Sequence, residues 1–113
     1  MQVHYSFKHM KASQALKSYI EDRLHAIINR YVTKLVDTKV IFSVEKKQHI
    51  ASCIVRGGDG FSIQVDHVDQ DMYKTVDHML DKLKSQLKRK KEKLKDHRPI
   101  PIEVEEEPEQ EQD

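Results

Sequence analysis

The chain has one cysteine and no tryptophan in 113 residues. A single thiol, Cys53, excludes an internal disulfide framework and any multi-cysteine metal site. It fits a reducing, cytoplasmic setting. No apolar run approaches the ~20 residues that a membrane span needs. The N-terminus alternates polar and apolar residues from Gln2 and does not resemble a signal peptide. Glycine is scarce, and Gly57, Gly58 and Gly60 all fall in one short stretch. That excludes a glycine-rich phosphate-cradling loop. No Cys/His/Ser constellation suggests a nucleophile, so neither an enzyme nor a cofactor is expected. Seven histidines are scattered along the chain, and no two have ligand spacing on one element. No metal site is therefore expected. Asp77 and Asp81 stand four apart, where solvation beside lysines is a simpler reading than acid–base chemistry.

What the chain does have is charge, unevenly placed. Residues 82–98 carry nine bases against two acids, a net of +7. Residues 99–113 carry seven acids and no base. The whole-chain charge of +1 hides both. A basic face of this density attracts polyanions, nucleic acid above all. The competing reading is a solvated helix end, whose cations suit the helix dipole.

The hydrophobic pattern gives the elements. Val3, Tyr5 and Phe7 alternate with polar residues, the period of a half-buried strand. Ser13 can cap a helix over residues 14–31. Three strand-like runs follow at 39–45, 50–56 and 61–68, with turns at 46–48 and 57–60. They read as an antiparallel meander. Asp69 or Asp71 can cap a last helix over residues 70–97. Tyr73, Val76, Leu80, Leu83, Leu87 and Leu94 step along it by helical spacings. A helix of that length exceeds a small sheet, so the part beyond Leu87 should project or lean on the first helix. Pro99 and Pro101 close it. The order β-α-β-β-β-α predicts an α+β two-layer sandwich, four strands with two helices on one face. A coiled coil is the alternative for the leucine series, but Lys90 interrupts it. Residues 1–98 form one domain and residues 99–113 an acidic tail expected to be disordered.

On the last helix, Lys84, Lys88, Lys91 and Lys95 fall in one stripe beside the leucine seam. Lys82, Arg89 and Lys93 fall in another across it. Such bases contact phosphates without reading sequence. No aromatic cluster sits among them as a single-strand stacking platform would need. Duplex or folded RNA fits better. Tyr73, within the leucine series, reads as core. A duplex-RNA module without a ribosomal role, or a protein adaptor using the leucine seam, would share this pattern.

Particular motifs narrow the choice. Asp71-Met72-Tyr73 opens the last helix, Asp81-Lys82-Leu83 and Gln86-Leu87 continue it, and Lys-x-Lys-Leu-Lys ends it at 91–95. Ala15-Leu16, Val44-Glu45-Lys46 and Gly57-Gly58 precede them in order. Over residues 1–97 this resembles the family of ribosome hibernation promoting factors and ribosome-associated inhibitor A proteins. The resemblance implies a fold like double-stranded-RNA-binding domains. It implies a stress or stationary-phase factor that binds the small ribosomal subunit and its rRNA, over the messenger path and tRNA sites. Under it, Arg23, Lys82, Arg89, Lys91, Lys93 and Lys95 match basic or basic-prone positions. Ser85 stands where relatives often have Arg, and Lys84 and Lys88 are additional bases. It further implies a short form without a dimerisation domain, monomeric off the ribosome, with a ribosome modulation factor as a possible partner. The acidic tail resembles that of the inhibitor A type.

Overall fold

A computed structural model describes residues 2–58 and 62–95. The elements are β1 (Val3–Lys8), α1 (Gln14–Tyr31), β2 (Leu35–Glu45), β3 (Gln48–Gly57), β4 (Ser62–Asp69) and α2 (Met72–Lys95). They form one four-stranded sheet in the order β1-β2-β3-β4. β1 lies parallel to β2, and the other pairs are antiparallel. The meander and the α+β sandwich are as the sequence predicts. The acidic tail, His97 and both helix-closing prolines lie outside the described residues.

Local chemistry fixes each boundary. The Ser13 hydroxyl accepts from the Leu16 N–H at 3.1 Å and caps α1. At its far end the Val32 N–H donates to the Ile28 carbonyl at 2.8 Å. Glu45 pairs with Gln48, so Lys46-Lys47 alone make the β2–β3 turn. Lys46 takes φ 59°, a left-handed conformation that tight turns demand. Asp71, rather than Asp69, caps α2, accepting from the Lys74 N–H at 3.2 Å. The Gly58 N–H donates to the Lys34 carbonyl, and a Cβ on Gly58 would lie 3.0 Å from that of Lys34. A side chain there would press on Lys34, and glycine avoids that crowding.

β2 begins four residues earlier than the hydrophobic pattern suggests. The pairing shifts register between Leu35 and Asp37, which breaks the alternation there. The next two positions are polar. Asp37 receives a forked hydrogen bond from Arg56 at 3.1 and 2.6 Å, which holds its carboxyl below the usual range. Thr38 is fully buried.

The core lies between sheet and helices. Leu16, Ile20, Leu24 and Ile28 of α1 meet Val40, Phe42, Ala51, Cys53 and Val55 of the sheet. Tyr5 and Phe7 stack on Phe42, with centroids 6.4 and 5.1 Å away. From α2 come Met72, Val76, Met79, Leu80, Leu83 and Leu87. The leucine seam is thus spent on this chain's own core. Tyr73 departs from expectation: it is 41% exposed and stands edge-on to Tyr19 at 4.8 Å. It lies at the margin of the seam, where α2 faces α1. The distal part of α2 leans on α1, because Lys91 Nζ donates to the Arg30 carbonyl at 3.1 Å. The Leu94 side chain is outside the described residues.

Burial pushes the Cys53 thiol up to about 12. The reactive thiolate is therefore absent at neutral pH. In the folded chain Cys53 should resist a thiol reagent at pH 8 and react only at the rate of unfolding. Labelling followed against denaturant concentration checks this, and prompt reaction in buffer would contradict it.

Candidate nucleic-acid interface

α1 and α2 run side by side in the same direction. Tyr19 meets Tyr73, Arg23 meets Asp77, and the end of α1 at Arg30 meets Lys91. Helical spacing carries the Asp77 face of α2 on through Lys84 and Lys88 to Lys91. This stripe borders α1, from which Arg23 and Arg30 join it. The opposite flank of α2 lies along β4. There Lys82 Nζ donates to the Asp66 carbonyl at 2.9 Å, with Arg89 two turns further on. Among the described side chains, Lys84, Lys88 and Lys91 fall on one flank, and Lys82 and Arg89 on the other. The Lys93 and Lys95 backbones belong to α2, and their side chains lie outside the described residues.

The predicted bases are not equivalent. Lys84, Lys88 and Arg89 are exposed and make no hydrogen bond or ion pair among the described residues. They can receive phosphate at once. Lys91 and Lys82 are each tethered to a backbone carbonyl, a bond that a bound phosphate would have to replace or share. Arg23 is engaged most. Its Nη1 lies 2.7 Å from Asp77 Oδ1 and donates to the Tyr19 hydroxyl at 2.9 Å. The Tyr19 hydroxyl in turn donates to Asp77 Oδ1 at 2.8 Å. That bond to Asp77 is the main reason the Tyr19 hydroxyl titrates above its ordinary range. The Arg23 guanidinium also lies over the Tyr19 ring, 4.5 Å from the centroid.

Asp77 would thus compete with any phosphate for Arg23. Asp77→Asn should leave Arg23 on Tyr19 and free its charge. RNA affinity should rise at low salt, and the log–log salt slope should steepen by about one unit. Binding titrations across salt check this; an unchanged slope would mean that Arg23 meets no phosphate.

Two features escaped the sequence reading. Arg30 lies seven residues, two turns, beyond Arg23, and that spacing was a usable signal. His67, Asp69 and His78 converge from β4 and α2. Spacing within one element carries no sign of that cluster, because it exists only once α2 packs on β4.

A small α+β sandwich that spends its apolar helix faces on its own sheet, and lines the outer flanks of one helix with bases, has the charge and shape that suit a polyanion. The chain belongs to the Sigma 54 modulation protein / S30EA ribosomal protein family, whose model matches residues 3–95. It is 33% identical over 99 residues to the ribosome hibernation promoting factor of Salmonella typhimurium, covering 86% of this chain and 100% of that protein. It is 34% identical over 94 residues to the factor of the same name from Pseudomonas putida, covering 82% of this chain and 89% of the relative. A ribosomal subunit interface protein from Coxiella burnetii superposes with a TM-score of 0.71 at 27% identity, over 81% of this chain and 99% of that one. The N-terminal domain of Thermus thermophilus Protein Y gives 0.69 at 27% identity, over 79% and 98%. The family that the helix motifs resemble is the family found.

Proposed function

We propose that this chain is a ribosome hibernation factor that acts in the cytoplasm by occupancy, without catalysis. It docks the two flanks of α2 and the adjoining edge of α1 on small-subunit rRNA. There it covers the messenger path and tRNA sites and holds the ribosome inactive in stress or stationary phase. The observation that carries this reading is the set of exposed Lys84, Lys88 and Arg89 on a helix whose apolar face is already buried. Contacts of this kind recognise the shape and backbone of folded RNA rather than base sequence. Arg23, Lys82, Lys91, Lys93 and Lys95 complete the proposed contact set. Off the ribosome the chain is proposed to be a monomer, and a ribosome modulation factor is proposed as a further partner on the inactive ribosome.

Sedimentation of ribosomes with and without the chain tests this. Co-migration with small subunits and depletion of translating ribosomes are expected. Equal affinity for an isolated RNA duplex would favour a general duplex-binding module instead.

The acidic segment 99–113 is proposed to screen the basic helix. Its seven acids and no base oppose the +7 of residues 82–98, which adjoin it in the chain. Deleting residues 103–113 should then tighten binding to unstructured RNA, most visibly at low salt. Identical binding curves at low salt would remove the screening role.

A further inference from the structure

The junction of β4 with α2 carries a second chemistry, away from the Lys84–Lys88 flank. His67 and Asp69 are two residues apart on β4, so both side chains leave the sheet on its helix side. His78 stands near them on α2. The rings of His67 and His78 have centroids 4.8 Å apart and are tilted by 39°. His67 Nε2 lies 3.7 Å from Asp69 Oδ2. Asp69 is held in place, because its other oxygen accepts from the Gln70 N–H at 2.7 Å. One donor atom from each of the three residues lies within 4.8 Å of the others.

These separations are close to those of a coordination shell. Around an ion with donors at about 2.0–2.2 Å, tetrahedral ligands stand roughly 3.3–3.6 Å from one another. The His67–Asp69 distance nearly meets this already. His78 is exposed, so its imidazole can turn inward to close the rest without disturbing the core. We propose that His67, Asp69 and His78 form a binding site for a divalent transition-metal ion of the zinc class, with one coordination position open to solvent. Two imidazoles with one carboxylate select such ions over magnesium or calcium, which prefer oxygen donors. Three protein ligands leave the fourth position to water or an anion. Lys74 and Lys82 stand one turn to either side of His78. Their positive charge disfavours the bare cation and favours an anionic fourth ligand. The ion would bind strand β4 to the N-terminal half of α2. It would also add positive charge on the flank that carries Lys82 and Arg89.

The test uses the full chain, stripped with a chelator and titrated with zinc by calorimetry, with cobalt absorbance reporting coordination geometry. One equivalent of zinc, a tetrahedral cobalt spectrum and a raised melting temperature are expected. His78→Ala removes an exposed ligand from a helix, and circular dichroism should show the fold retained. Asp69→Asn keeps the acceptor for the Gln70 N–H but is a far poorer ligand. Each variant should bind zinc at least about tenfold more weakly. His4→Ala, on β1, should bind as the parent does. Absence of zinc binding by the parent chain, or unchanged affinity in either ligand variant, would overturn the site.

Discussion

Replacing Lys84, Lys88 and Arg89 together with Gln should lower ribosome affinity by about 10²–10³-fold at 0.1 M salt while leaving the fold intact. Each phosphate contact contributes roughly 0.9 to the slope of log affinity against log salt. Losing three removes about 2.7 units of slope, and that deficit accumulates over the decade from 1 M to 0.1 M. The three side chains are exposed and have no partner among the described residues, so no buried group is orphaned by the change. Glutamine is also a good helix former. Affinity measured at several salt concentrations separates the two halves of the expectation. A parallel downward shift at every salt would indicate damaged shape rather than lost phosphate contacts. Unchanged affinity would remove this face from the interface.

The second large effect is in the core. Leu83 is fully buried on α2, within the cluster that joins the helix to the sheet. Leu83→Ala should destabilise by about 2–5 kcal/mol, the lost transfer energy plus the cavity left behind. A domain of this size has only about 5–15 kcal/mol in total, so a large share would go. Tyr73→Ala, ten residues earlier on the same helix, should cost clearly less. Tyr73 is 41% exposed, and its ring stands edge-on to that of Tyr19. Urea denaturation midpoints with unchanged slopes would check both. Equal losses would place Tyr73 in the core after all.

Much of this architecture is legible in the residues. Leu83 and Leu87 announce themselves by spacing, and Ser13 and Asp71 by capping chemistry. The bases of α2 are legible for the same reason: one helix carries them, so a period of 3.6 sorts them into flanks. The first half of β2 is not, because a register shift beside Asp37 and the buried hydroxyl of Thr38 break the alternation. The pairing of Arg23 with Asp77 spans 54 residues, and only the packing of α1 on α2 brings it about. Tyr73 shows the limit of counting by threes and fours. Its spacing admits it to the leucine series, yet its position at the margin gives it to the groove between the helices. His67, Asp69 and His78 belong to the same class of feature: each residue is ordinary, and their meeting is tertiary.

Lys82 has a consequence for the lifetime of the folded chain in a crowded solution. β4 ends the sheet, so its outward backbone groups can pair with a strand from another molecule. The Asp66 carbonyl of that strand accepts from the ammonium of Lys82, which sets a positive charge at the border against an approaching strand. A single side chain thereby guards the edge of the sheet against self-association.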